Sequence, residues 1–258
     1  HVERRRHRCR VLSGVHPMSR WLFFPSAGGG FVPSDLASLV GWYDSSDSST
    51  ITLSGSEVTA VSNKVSGARD LSNNGTGPSI ASANLNGYDV FEVADSEGLS
   101  TGTPAPYTST YSSTMFVGNF NGDARGVVVS SAGGKHGLVY QQGQTGVAPS
   151  HGSGTPSTYT DGTILSPDTR DQLYNEITVS GWHILGTIGL LQGAWPNFIL
   201  FNAVTASGFG TVGKAAEFTI FNTTLSTSDR QKMEGYYAWK YALTSNLPAS
   251  HPYKSTRP

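Results

Sequence analysis

Short runs of β-branched and aromatic residues, separated by residue pairs that turn tightly, recur along this sequence from residue 39 to residue 222. They constrain its fold more than any other feature. The runs fall at residues 39–43, 57–65, 88–93, 114–120, 126–131, 137–141, 157–165, 176–189, 197–204 and 215–222. Asn74-Gly75, Asn86-Gly87, Asn121-Gly122 and Asp161-Gly162 lie between or beside them, and such pairs tolerate the positive φ of tight hairpins. About ten strands with no helix between successive ones predict an all-β fold of antiparallel sheets packed as a two-sheet sandwich. Composition agrees, because only 14% of residues are charged while 31 Gly and 13 Pro supply turns. That balance excludes a helical bundle, a coiled coil and a highly charged disordered chain. A chain of 258 residues is long enough to bury one large core.

One helix is predicted, over residues 226–243. Ser226 caps it, and Asp229 three residues on completes a capping-box-like pair. Met233, Tyr236, Tyr237, Lys240 and Tyr241 follow at helical spacing, with Trp239 and Leu243 extending the apolar surface. This stripe reads as core packing against a sheet, not as a ligand platform. Gly235 reads as a point of close approach to that sheet, since a glycine inside a helix costs about 1 kcal/mol relative to alanine. Leu247-Pro248 ends the helix, and His251-Pro252-Tyr253 leads into a polar tail.

The net charge of −1 is the sum of two unlike parts. In residues 1–20, Arg4, Arg5, Arg6, Arg8, Arg10 and Arg20 oppose Glu3, a formal +5, so the rest of the chain carries −1 − 5 = −6. Residues 1–32 read as an extended basic arm with apolar Trp21, Phe23 and Phe24 and a Gly-rich joint, and residues 33–258 as the folded domain. Two readings of the arm stand. It is a solvated tail, or translated sequence ahead of a start at Met18, or it is an anchor held by a partner surface. A short basic arm on an acidic body is unlike the even basic face of a nucleic-acid binder, so no specific nucleic acid is expected. Cys9 stands alone, no Cys/His spacing matches a structural zinc site, and neither metal nor cofactor is expected. Residues 21–24 are too short for a secretory h-region. The apolar stretch 181–204 is interrupted by His183, Gln192, Trp195-Pro196 and Asn197, so a soluble chain with no membrane partner is expected.

Glycoside hydrolysis needs two carboxylates flanking one linkage. Glu92, Asp95 and Glu97 are the densest acidic group, but Glu92 has the opposite strand parity to the other two, so a strand running into a polar loop is the better reading. There is no G-x-S-x-G elbow, and the seven His are scattered. Gly133-Gly134-Lys135-His136 lacks the spacing and hydroxyl of a phosphate loop and reads as a hairpin. Asp44 and Asp47 lack the glycine and distal glutamate of a calcium loop and read as turn caps. A non-enzyme is expected.

Two segments carry a family resemblance. One runs Ala216-Glu217-Phe218-Thr219-Ile220-Phe221-Asn222, Leu225-Ser226, residues 229–241 and then residues 247–253. The other runs Leu39-Val40-Gly41-Trp42-Tyr43-Asp44-Ser45-Ser46-Asp47, Ile51-Thr52-Leu53, Val61-Ser62-Asn63-Lys64 and Asn86-Gly87. Together they resemble the ending and the opening of laminin-G-like, concanavalin A-like jelly-roll domains of tailed-phage and marine-virus structural proteins. The resemblance frames residues 35–253. Two departures are a Tyr at 241 where the family often has Trp, and the absence of Asp-Gly after Phe91.

The resemblance implies a jelly-roll fold and a virion setting, with no shared catalytic set and no fixed sugar contacts. The function expected is a non-enzymatic structural protein on the particle surface, as a head decoration, fibre or tail component. Its partners would be other virion subunits, engaged through Arg4, Arg5, Arg6, Arg8, Arg10, Trp21, Phe23 and Phe24, with homo-oligomers within the particle. The alternative is a lectin-like adhesin for host surface glycan, for which Tyr159, Tyr174, Trp182 and Trp195 are the candidate aromatics. A third reading is a polysaccharide hydrolase working through Glu92 or Glu97.

Overall fold

The computed structural model describes residues 30–105, 110–120, 124–132, 135–148, 156–178, 181–191, 195–202 and 210–258. The arm residues Arg4, Arg5, Arg6, Arg8, Arg10, Trp21, Phe23 and Phe24 lie outside them. The strands are β1 (Leu39–Asp44), β2 (Ile51–Ser54), β3 (Glu57–Val61), β4 (Leu71–Asn73), β5 (Ser79–Leu85), β6 (Tyr88–Val93), β7 (Leu99–Ser100) and β8 (Tyr111–Asn119). Then come β9 (Arg125–Ser131), β10 (Lys135–Gln141), β11 (Ser157–Thr160), β12 (Thr163–Ile164), helix α1 (Arg170–Ile177), β13 (His183–Leu191), β14 (Ile199–Leu200), β15 (Gly213–Phe221) and helix α2 (Thr227–Lys240).

Every pairing between these strands is antiparallel. They follow one hydrogen-bonded path, β10-β9-β14-β7-β4-β3-β5-β6-β15-β8-β13-β11-β12, with β1 added along β15 and β2 along β3. The path doubles over, so that rings from its two halves meet. Phe120, just after β8, lies 6.2 Å from Tyr140 of β10. Phe201, just after β14, lies 5.3 Å from Phe218 of β15 and 6.4 Å from Phe91 of β6. This is the expected antiparallel sandwich, and Phe31–Pro258 form one compact unit.

Strand β15 shows why its sequence reads as nearly continuous apolar: both of its faces are covered. Phe218 and Ile220 point into the core between the sheets, while Phe221 joins the cluster built with α2. Thr219 faces the helix too, its Oγ1 2.8 Å from the Tyr237 hydroxyl. The predicted cap of α2 is present: Ser226 Oγ accepts from the Asp229 N–H at 3.1 Å and donates to its Oδ2 at 2.8 Å. Met233, Tyr237, Ala238 and Tyr241 are buried against the sheet.

Four local expectations change. Residues 176–189 are not one strand, since α1 occupies Arg170–Ile177 and β13 begins at His183. Thr169 caps α1 by accepting from the Gln172 N–H, and Leu173 and Ile177, four apart, are its buried positions. Two apolar anchors among polar residues make too thin a stripe to show in the sequence. Residues 157–165 form a hairpin, with Asp161 at φ 51° and Gly162 at φ 83° in its turn. The tail after α2 is a strap. Lys254 Nζ donates to the carbonyls of Thr244, Ser245 and Leu247, and Trp239 Nε1 donates to those of Tyr253 and Thr256. The strap ends where Pro258 accepts a hydrogen bond from the Phe31 N–H at 3.2 Å.

Gly235 accordingly faces the strap and not the sheet. A Cβ at this position would lie 2.6 Å from Tyr253 Cβ. Gly235→Ala is expected to destabilise the protein by about 1–3 kcal/mol, since overpacking next to the main chain outweighs the better helix propensity of alanine. Thermal melting and proteolysis at residues 248–258 check this, and a variant more stable than the parent would show the contact to be dispensable.

Candidate functional site

The chemistry of the domain gathers where α2 crosses β1 and β15. Glu217 follows a bulge in β15 that turns its side chain toward the helix, and it has no exposed surface. Its Oε1 accepts from Trp42 Nε1 at 2.5 Å and from the Tyr236 hydroxyl at 3.1 Å. Its Oε2 accepts from the Tyr241 hydroxyl at 2.8 Å and from Lys240 Nζ at 2.7 Å. Lys240 also reaches Asp44 Oδ2, 2.8 Å away, so one ammonium bridges two buried carboxylates. Rings of Tyr241, Tyr88 and Tyr236 lie 5.0, 5.5 and 5.8 Å from that nitrogen.

Asp44 is held on its other side. Oδ1 accepts from the Ser46 N–H at 3.0 Å and from the Ser46 hydroxyl at 2.6 Å. Lys64 Nζ stands 3.4 Å from Oδ2, 2.9 Å from Asp47 and 4.6 Å from the centre of the Trp42 ring. Asn63 ties the same place to β1: its Oδ1 accepts from the Trp42 N–H and its Nδ2 donates to the Val40 carbonyl. Asn86, in the β5–β6 turn, donates to the Lys240 carbonyl at 2.9 Å. Asp47 caps a short turn through Ser49, as expected of a turn residue.

Burial and pairing compete at each group. Burial alone would raise Asp44, but the adjacent Lys240 ammonium and the Ser46 donors hold it below the ordinary aspartate value. Burial pushes Glu217 up, against the pull of Lys240, with the nearby Asp44 charge adding to the rise. For Lys240, burial lowers the value, and the two carboxylates overcome it and keep the ammonium charged. Burial drives Tyr236 and Tyr241 well above the ordinary phenol value, so both stay protonated and donate.

A second buried group lies under the strap. Arg230 and Glu234 pair one helical turn apart, and Glu234 Oε2 takes His251 Nε2 at 3.0 Å. His251 Nδ1 accepts from the Tyr253 N–H at 3.2 Å, which fixes the ring between the strap and Glu234. The Arg230 guanidinium stacks 3.9 Å over the Tyr159 ring.

The candidate aromatics are not brought together. Tyr159, stacked under Arg230, and Trp182, whose carbonyl accepts from Asn246, are half-buried in the cluster on the α2 side. Tyr174 packs against the inner core, and Trp195 is part of it at 6% exposure. The three acids are also separate in their contacts. Glu92 is exposed on β6 and pairs with Lys214 at 3.4 Å, Asp95 is exposed in the loop that follows, and Glu97 accepts from the Ala94 N–H at 2.7 Å. The Gly133-Gly134 turn lies outside the described residues, between β9 and β10.

Sequence reasoning placed Lys240 on an apolar helical face and Asp44 in a turn, but did not join them to Glu217. The available signal was a lysine four residues after Tyr236 on the buried stripe, and a glutamate inside an otherwise apolar strand.

No family model and no curated protein matches the chain. Among solved structures it is similar to a Trypanosoma rangeli sialidase in complex with sialic acid, at 13% identity and TM-score 0.40, covering 79% of this chain and 35% of that one. A Trypanosoma rangeli sialidase with 2,3-difluorosialic acid as covalent intermediate gives 14% identity and TM-score 0.38, covering 75% and 32%. The chain spans about a third of the length of these sialidases, and a likeness at this level says nothing of their chemistry.

Proposed function

We propose that the chain is a non-enzymatic structural module displayed on the surface of a tailed-phage or phage-like particle and anchored by residues 1–32. The observation that carries the reading is where the resemblance-bearing residues sit. Trp42, Asp44, Asn63, Lys64, Glu217, Tyr236, Lys240 and Tyr241 meet in one largely buried network that locks α2 onto the sheet, and exposed Asn86 joins it through the Lys240 carbonyl. They spend their polar groups on one another, as scaffold residues do. Phe31, the first residue of the compact unit, is tied to Pro258, and a basic arm preceding it can pair with acidic groups on neighbouring subunits. Weak arm contacts multiply through particle symmetry, so no single arm has to bind tightly.

Deleting residues 1–20, which removes five net positive charges, is expected to abolish incorporation into particles. Particle composition after purification measures this, and full occupancy by the truncated chain would sink the anchoring idea. The lectin-like reading has the dispersal of Tyr159, Tyr174, Trp182 and Trp195 against it.

A further inference from the structure

We propose that Lys240 and Asp44 become joined by an intramolecular isopeptide bond that the folded chain forms by itself, with Glu217 carrying the protons. The three groups come from α2, β1 and β15 and meet only after folding, with Lys240 Nζ 2.8 Å from Asp44 Oδ2 and 2.7 Å from Glu217 Oε2. Folding thus supplies the positioning that two free reactants in water lack.

The step is a condensation. Glu217 takes a proton from the Lys240 ammonium, freeing the nitrogen lone pair to attack Asp44 Cγ. The Cγ–Oδ2 bond then breaks, and Oδ2 departs as water. Of the three protons on the ammonium, one stays on the amide nitrogen and two leave with the oxygen, relayed by Glu217. Atoms and charge balance, with no oxidant, reductant or activating group.

The two Asp44 oxygens are already differentiated for this chemistry. Oδ1, which would remain as the amide carbonyl, accepts from the Ser46 N–H and hydroxyl, donors aimed at the atom that gathers charge in the tetrahedral intermediate. Oδ2, which would leave, faces Lys240 and Lys64. Burial raises the proton affinity of Glu217, which favours its taking up the proton that the two carboxylates otherwise hold on Lys240. The rings of Tyr88, Tyr236 and Tyr241 stand 5.5, 5.8 and 5.0 Å from the nitrogen and leave the Lys240 side chain 14% exposed. An ion pair in such a place has lost most of its hydration, so conversion to a neutral amide relieves the cost of burying two charges. Glu217 keeps Trp42, Tyr236 and Tyr241 as donors afterwards.

The intact mass of the purified full chain, denatured and reduced, is expected about 18 Da below the sequence mass, the water lost in a covalent modification of this kind. Digestion is expected to give one branched peptide containing both Asp44 and Lys240. Lys240→Arg and Glu217→Gln should each restore the full mass. Asp44→Asn should release ammonia in place of water, about 17 Da, which identifies the chemistry even if the Glu217 variant fails to fold. A folded wild-type chain at full sequence mass, with no branched peptide, overturns the proposal. Removing residues 1–20 leaves all three groups in place, so this result is independent of particle attachment.

Discussion

Replacing Lys240 with methionine is expected to lower stability by about 3–5 kcal/mol, the usual consequence of removing one partner from a buried ion pair. Methionine fills much of the same space, so the loss is electrostatic. Glu217, with no exposure, would be left without a cation, next to an Asp44 carboxylate, 3% exposed, that keeps only the Lys64 cation at 3.4 Å. For a chain of this size roughly 2–4 °C of melting temperature goes with each kcal/mol, which gives a drop of about 6–20 °C. Thermal melting followed by circular dichroism measures it, and a drop under about 3 °C would mean that water reaches the carboxylates. The triple variant Lys240→Met, Asp44→Asn, Glu217→Gln should regain part of the loss, because no stranded charge remains. Lys240→Arg keeps the charge but cannot form the proposed bond, so its difference from Lys240→Met separates the ion pair from the cross-link.

Phe218→Ala is expected to cost about 3–5 kcal/mol by opening a cavity where the two sheets meet. The ring is fully buried, stacked 4.7 Å from Phe116 and set edge-on 5.3 Å from Phe201. Phe116 is fixed in β8, and Phe201 sits at φ 69° just after β14, so neither can readily move to refill the space. Denaturant unfolding should show a lower midpoint with an unchanged slope. Phe218→Leu, which keeps more of the volume, should lose less. A midpoint equal to the parent's for the alanine variant would mean that the layers are not packed through this ring.

Much of the architecture was legible because it rests on local chemistry. Alternating β-branched runs and positive-φ turn pairs specify strands and hairpins within a few residues of themselves, as at Asn86-Gly87 and Asp161-Gly162. Ser226 and Asp229 announce the start of α2 in the same way. Helix α1 was hidden because only Leu173 and Ile177 bury. Gly235 was legible as a close approach, but its neighbour was not, since the chain returns to it only through Tyr253.

The candidate site lies further from what local pattern can reveal. Asp44, Glu217 and Lys240 are remote in sequence, and each looks ordinary there: a turn aspartate, a strand glutamate, a helix lysine. By itself the sequence determined an antiparallel β-sandwich closed by a capped helix, because propensity, turns and caps act between near neighbours. Only the tertiary structure decided that one lysine is shared by two buried carboxylates and that the tail straps the helix. Those contacts depend on which faces of distant strands and helices meet, and a bulge in β15 that turns one carboxylate toward the helix has no signature in residue order.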